Sequence, residues 1–569
     1  MPITPRSSFA ALAMGIAVIL PAPTAMADGL SGAYLAARHA SYFSDYKAGA
    51  EYYTQALMRD PSNASLLENA LMSFVGLGDI NRAIPVARKM ASDGIVSQVS
   101  RMVLVADLVK NQDFDGIITM MEKGDTIGPL VDGLVVAWAE LGRGQMSAAL
   151  EAFDKVSKER GTRAFGLYHK ALALASAGDF EGADDILSGD EDGPIQATRR
   201  SVVAHAEILS QLERNDDAIE LLDSVFGVDS DPRVMQLRDE LAAGETLPFS
   251  SATTPAQGLA EMFHTVAAAL SGETDDGYTL VYTRMAEYLD PTHTEAILLS
   301  AALLERLERY ELATEAYNRI SRDDPAFHIA ELGRADALRL AGKKEAAIEV
   351  LQQLAKSHGE LPSVHAALGD ALRQQEQYAL AAKSYDRALE LSGEPKAEDW
   401  FLFYARGICF ERIDDWEKAD ADFQMALKLN PNQPQVLNYL GYSLLEKNIR
   451  LDEALKMIER AVAAVPNDGY ITDSLGWALY RLRRFDEAVG YMERAAELKP
   501  VDPIVNDHLG DTLWAVGRKL EAEFQWRRAL SFDPEEVDAK RIRRKLEVGL
   551  DVVLEEEGAE PIPVVANDG

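Results

Sequence analysis

The chain has 569 residues, 47% of them hydrophobic, and sets 92 Asp and Glu against 57 Lys and Arg for a formal net charge of −35. A surface this acidic repels phosphate backbones and anionic bilayers, so nucleic acid and an anionic membrane face are excluded as partners. The one cysteine, Cys409, lies in the apolar run Gly407-Ile408-Cys409-Phe410, which rules out an internal disulfide and reads as a buried structural thiol.

In chain order, Arg6 precedes an apolar stretch from Phe9 to Leu20, followed by Pro21, Pro23 and Ala25-Met26-Ala27 before Asp28. This is the layout of a secretory signal peptide, residues 1–27, cleaved after Ala27. The apolar part is too short to span a bilayer, and no later stretch is long and apolar enough to do so. The expectation is an exported protein without a transmembrane segment, in the periplasm; full secretion stays open.

From Gly29 the chain reads as about 14 helical hairpins. In the first, Asp45-Tyr46 marks the turn between helices, with Tyr53, Ala56 and Pro61 at packing and terminating positions. Proline there cannot continue the helix and turns the chain into the next unit. The next five are degenerate: they keep the turn signals Gly78-Asp79, Gln112-Asp113, Gly144-Gln145 and Gly178-Asp179, with Ala83, Ala149, Ala183 and Ala218 where helices approach. Residues 28–242 form this degenerate array. A break or linker is expected over 243–254, where Gly244, Pro248 and the Ser250–Thr254 cluster interrupt the pattern before Pro255 opens a helix.

A second array, 255–550, begins with an atypical unit carrying a polar loop from Gly272 to Gly277 and becomes regular after Glu295. Its clearest text repeats at a spacing of 34. Leu475-Gly476 is followed by Ala488, Met492, Ala495 and Pro500, and Leu509-Gly510 by Ala522, Trp526, Ala529 and Pro534. Alternation of small and large residues lets two antiparallel helices close on each other and stack on the next pair. Two insertions disturb the register, near Gly393–Glu398 and at Lys447–Leu451. The run with Lys540, Arg541, Arg543, Arg544 and Lys545 reads as a solvated capping helix, because an end repeat needs a polar outer face. Between Gly469 and Lys545, 14 Lys and Arg balance 14 Asp and Glu, so this end is neutral. The acidic tail 551–569, with Pro561 and Pro563, reads as disordered.

These residues resemble the tetratricopeptide repeat family, which implies an all-α, TPR-type helical-hairpin solenoid wound as a right-handed superhelix. The text Asp473-Ser474-Leu475-Gly476-Trp477-Ala478-Leu479-Tyr480, then Asn506-Asp507-His508-Leu509-Gly510-Asp511 and Trp514, is similar to bacterial envelope adaptors of carboxyl-terminal processing proteases. That resemblance implies a scaffold holding a protease with its cell-wall-hydrolase substrates. The sequence departs from it at Ala27-Asp28, where those adaptors carry a lipidated cysteine, so no lipid anchor is expected. The Lys and Asn clamp by which chaperone-binding relatives grip a terminal carboxylate is missing at Tyr404, Ile408, Asn438 and Tyr439.

Catalytic signatures are lacking: no phosphate loop, no H-E-x-x-H, no G-x-S-x-G and no cysteine cluster. The nine histidines include no pair spaced to share a helical face around a metal. Asp190, Asp192 and Gly193 resemble a fragment of a calcium loop, but the closing glutamate is missing and Pro194 follows. No enzyme activity, cofactor or metal is expected. In a hairpin solenoid the first helix of each unit lines the concave face. Those positions in the last units are Tyr404; Asn438, Tyr439 and Tyr442; Tyr470, Asp473, Trp477 and Tyr480; and Asp507, His508, Asp511 and Trp514. Aromatic side chains bring contact area with few rotors to freeze, which suits a protein-binding groove for an extended peptide or a partner helix. Packing between repeats is the other reading of these rings, above all Tyr439 and Trp477. The expected function is a periplasmic scaffold for envelope proteins, delivering wall hydrolases to a processing protease; the alternative is a structural subunit of an outer-membrane or polysaccharide-export complex.

Overall fold

The computed structural model describes residues 30–189, 198–227, 232–559 and Ile562. The expected signal peptide and the Asp190-Asp192-Gly193 fragment lie outside the described residues. Among those described, every regular element is helical, and none is long and apolar enough to cross a membrane. The chain divides into two compact units, 1–341 and 342–569.

The first unit opens with six hairpins: α1/α2 (Leu30–Tyr42, Tyr46–Leu57), α3/α4 (Ala64–Leu77, Ile80–Ser92), α5/α6 (Gln98–Lys110, Phe114–Glu122), α7/α8 (Pro129–Gly142, Met146–Ser157), α9/α10 (Arg163–Ser176, Phe180–Ser188) and α11/α12 (Arg199–Gln211, Asn215–Phe226). A single helix α13 (Pro232–Ala242), the hairpins α14/α15 (Pro255–Leu270, Asp276–Leu289) and α16/α17 (Thr294–Arg306, Tyr310–Tyr317), and α18 (Phe327–Leu340) complete it. The turn signals act as their chemistry requires. Gly78 takes φ +77, and Asp79 then caps α4 by accepting the Arg82 N–H at 3.2 Å. Gln112, at φ +57, precedes Asp113, which caps α6 through the Gly116 N–H at 2.9 Å.

Two features differ from the sequence expectation. The 243–254 segment is not a free linker. Leu247 and Ala252 are buried, and the buried Glu207 carboxylate accepts from the Ser250 N–H at 2.9 Å and the Ser250 hydroxyl at 2.6 Å. The second difference is that α14 and α15 join the first array: α14 packs on α7 and α9, and α15 on α3 and α5. The approach is close enough that a Cβ on Gly258 would lie 2.4 Å from the Trp138 ring. The unit boundary therefore falls after Ala341, not at 243–254.

A buried charge cluster fixes α14 in place. Glu261, with no exposed surface, accepts from the Tyr168 hydroxyl at 3.0 Å, lies 2.7 Å from Arg200 Nε and 3.0 Å from His293 Nε2. Burial opposes ionisation of this carboxyl, but Arg200 and His293 more than offset it and hold Glu261 well below the usual carboxylate range.

The second unit holds α19 (Lys344–Ser357), the hairpins α20/α21 (Pro362–Gln374, Tyr378–Ser392), α22/α23 (Trp400–Arg412, Trp416–Leu429), α24/α25 (Pro434–Glu446, Leu451–Ala464), α26/α27 (Gly469–Arg481, Phe485–Leu498) and α28/α29 (Pro503–Ala515, Lys519–Leu530), then α30 (Glu536–Val548) and α31 (Leu550–Glu556). The first insertion holds a short 3-10 turn, Ala397–Asp399, and the second is absorbed by left-handed Asn448 and Arg450. Residues 551–556, read as the start of a disordered tail, are helical because Leu550 and Val553 are buried against the preceding elements. Cys409 is fully buried, and burial pushes its thiol up to about 12.

Arg200→Met leaves Glu261 charged and short of its main partner. It is expected to destabilise the first unit by about 3–5 kcal/mol, read as a shift in the urea unfolding midpoint. The double variant Arg200→Met/Glu261→Leu, which removes both charges, recovers part of that loss.

Candidate functional site

The candidate groove residues all lie in the second unit, and the structure sorts them into three groups. Tyr404 on α22 and Tyr439 on α24 are half-buried and converge on Phe423: ring centroids are 6.2 Å and 5.4 Å from Phe423, and 5.9 Å from each other. The Tyr439 hydroxyl donates to Glu411 at 3.2 Å. These two rings are packing between successive hairpins, the second of the two readings that the sequence left open. Tyr442 is half-buried on the same helix, and Asn438 carries a buried Oδ1 with no hydrogen-bond partner. Burial, reinforced by nearby carboxylates, raises the phenols of Tyr439, Tyr442 and Tyr480, so each stays a neutral donor.

The second group is a stack on α26 and α28. Trp477 lies between Tyr480, at 4.7 Å and 8°, and His508, at 4.0 Å and 13°. Spacing of 3 along a helix puts Trp477 and Tyr480 on one face, and the next hairpin supplies His508 across from them. His508 Nδ1 is 3.0 Å from the buried Asp473 carboxylate, which fixes the ring plane. Burial pulls this imidazole down, yet Asp473, with Asp507 and Asp511, more than offsets that, and its pKa is raised. Tyr470 stands apart at the helix start, 53% exposed, donating to Asp502 at 3.2 Å under the Lys499 ammonium.

The third group is a correction. Asp507, Asp511 and Trp514 are not open groove positions, because α30 and α31 cover the last hairpin. Lys545 is 1% exposed and its ammonium lies 2.8 Å from Asp507 and 2.6 Å from Asp511. Asp511 also accepts from Trp526 Nε1 at 2.9 Å and from Arg541 at 3.3 Å, while Trp514 Nε1 donates to Asp551 at 3.0 Å. Burial and the adjacent Asp511 carboxylate push Asp507 above the usual carboxylate range against the pull of Lys545. The basic run on α30 is therefore only partly solvated: a hairpin without a following hairpin has its polar inner face met by these cations.

What remains accessible beside Trp477 is a pocket of about 330 Å³, walled by Trp477, Tyr480 and Phe485 and edged by Arg481, Arg483 and Arg541. The arginines were missed in the sequence, although the run Arg481-Leu482-Arg483-Arg484 directly follows the aromatic pair. Such a site offers an apolar floor with cations around it, suited to a peptide bearing an apolar side chain near acidic residues. Among the described residues no group of three or more His, Cys, Asp or Glu is placed to hold a metal ion.

With this geometry in hand, comparison with known proteins identifies the repeats. The tetratricopeptide repeat family model matches residues 298–363, 366–434, 404–469 and 440–503, so this stretch carries tetratricopeptide repeats. The chain is similar to TPR repeat-containing protein PA4667 of Pseudomonas aeruginosa, 30% identical over 27% of this chain, and to human Protein O-mannosyl-transferase TMTC1, 26% identical over 31%. These matches span only 25% and 20% of those relatives' own lengths. Among solved structures, the Cut9 and Hcn1 hetero-tetramer of the APC/C aligns over 92% of this chain and 97% of its own, at 15% identity and a TM-score of 0.38.

The raised His508 pKa has a pH signature. Its stabilising charge on Asp473 is fully present below the unfolded value of about 6.5 and is lost as pH rises through the higher folded value. Urea unfolding of the wild type is expected to show stability falling across that window, and the fall to be absent from His508→Gln.

Proposed function

We propose that this protein is a non-enzymatic, exported scaffold that works in the periplasm as an adaptor. It binds other envelope proteins and delivers cell-wall hydrolases to a processing protease. Tetratricopeptide repeats suit the chain to protein–protein interaction, and the observation that carries the reading is the Trp477 stack with its arginine edge. With its ring held between Tyr480 and His508, Trp477 offers a partner a rigid apolar edge beside Tyr480 at little entropic cost. The resemblance around Asp473 to Trp514 supports the choice of partners.

The test is affinity capture of residues 28–569 from the cell envelope, with bound proteins identified by mass spectrometry, alongside Trp477→Ala. Recovery of a protease with wall hydrolases is expected, reduced about tenfold or more by the substitution, with helical circular dichroism unchanged. Trp477 alone is the cleaner probe, because Tyr480 is only 9% exposed and its truncation also opens the core. Recovery of outer-membrane or export components at fixed stoichiometry, indifferent to Trp477, would overturn the adaptor reading.

A further inference from the structure

The segment following α30 does more than cap the array. At Gly549 the chain reverses with φ +84, at a point where a Cβ would lie 2.8 Å from the Trp514 ring. Leu550 and Val553 then bury against the body. Leu554, Ala559 and Ile562 form part of the wall of the same 330 Å³ pocket that holds Trp477 and Tyr480. Ile562 packs against the apolar cluster of Leu475, Tyr480 and Ala515 and also against that of Leu513 and Trp526.

Charge follows the same path. Arg541 Nε donates to Glu557 at 2.8 Å, Arg544 Nε to Glu556 at 3.1 Å, and Lys519 lies 3.6 Å from Asp551. Residues 551–569 carry six acidic and no basic side chains, so this segment complements the arginine edge in sign throughout. Each of these pairs is partly exposed and contributes little by itself. Past Glu557 the described contacts with the pocket are those of Ala559 and Ile562 alone. A small apolar contact and screened ion pairs hold a tethered segment in place through high local concentration and release it to a better ligand.

We infer that Glu556, Glu557, Ala559 and Ile562 form a built-in cover on the Trp477 pocket, a latch that a partner segment of the same chemistry must displace. That chemistry is an acidic stretch followed within a few residues by an aliphatic side chain. The inference rests on the groove reading above and specifies its ligand. The aliphatic side chain takes the place of Ile562 against Trp477 and Tyr480, and the carboxylates take the places of Glu556 and Glu557 at Arg544 and Arg541.

The test uses the full chain, the chain truncated after Glu555, and a fluorescein-labelled synthetic peptide of residues 556–569 followed by anisotropy. Truncation keeps Leu550 and Val553, so the unfolding midpoint is expected to stay put. The peptide is expected to bind the truncated chain saturably, and the full chain about tenfold more weakly, since an occupied site lowers apparent affinity by its free fraction. Raised salt, Trp477→Ala in the protein or Ile562→Asp in the peptide is expected to weaken binding. Equal affinity for both chains, or no binding to the truncated one, would overturn the latch. Those results leave the groove reading intact if Trp477→Ala still lowers envelope capture; unchanged capture with that variant would instead sink the groove itself.

Discussion

A helical hairpin of some thirty residues cannot cover its own apolar face, and the constraint that builds this molecule is how closely the next helix can approach it. In the second unit the approach is set by a glycine opposite a large side chain. A Cβ on Gly510 would lie 2.4 Å from Trp526, on Gly476 2.8 Å from Met492, and on Gly369 2.7 Å from Tyr385. The alanines flanking those large residues, Ala488 and Ala495 or Ala522 and Ala529, have no exposed surface. Interiors this dense do not accommodate an added methylene without displacement. The spacing of 34, the order of hairpins and the identity of the inner face all follow from that fit.

Close stacking also creates the places where charge is buried. In the first unit, α14 and α15 cover earlier hairpins and bring Glu261 against Tyr168, Arg200 and His293. In the second, α30 covers the last hairpin and brings Lys545 against Asp507 and Asp511. Both clusters give every charge more than one partner, which is what allows ions to persist out of water. They act on position more than on stability: an α14 displaced along α9 would strand Glu261, and an α30 displaced along α28 would strand Lys545.

The hairpins themselves were legible because the sequence signal and the contacts share a range. Leu475-Gly476, Ala488 and Met492 pack within one hairpin, so their spacing is a direct record of their contact. The fold-back of α14 onto α9 leaves no such record, since Tyr168 and Glu261 are 93 residues apart and belong to no repeat. For the same reason 243–254 read as a break when it is a strap tied to Glu207: hydrogen bonds from serine to a distant carboxylate carry no periodicity. In the candidate site, Trp477 and Tyr480 share a helical face by their spacing, and the following hairpin brings His508 into the same stack. Asp507 and Asp511 were named for the right face but the wrong surroundings, since the cations that cover them come from α30. The helix Leu550–Glu556 was hidden by composition, because its acidic residues outweigh Leu550, Val553 and Leu554 even though those three share a helical face.

Placement of the candidate groove at Trp477 is then a consequence of the stacking rule. One and two hairpins earlier, Tyr439 and Tyr404 are engaged with Phe423 between hairpins. One hairpin later, the equivalents of Asp473 and Trp477 are Asp507 and Asp511, already met by Lys545 and Arg541. On α26 the Trp477 ring is stacked on one side by His508 of the next hairpin, yet with Tyr480 it still borders a pocket, and there the covering comes from a few weakly held residues. A surface covered by tightly packed elements serves stability, whereas one covered by a short acidic segment and a single isoleucine keeps its binding capacity in reserve. The region between Phe485 and Arg541 is the part of this unit whose contacts can be exchanged without dismantling the stack.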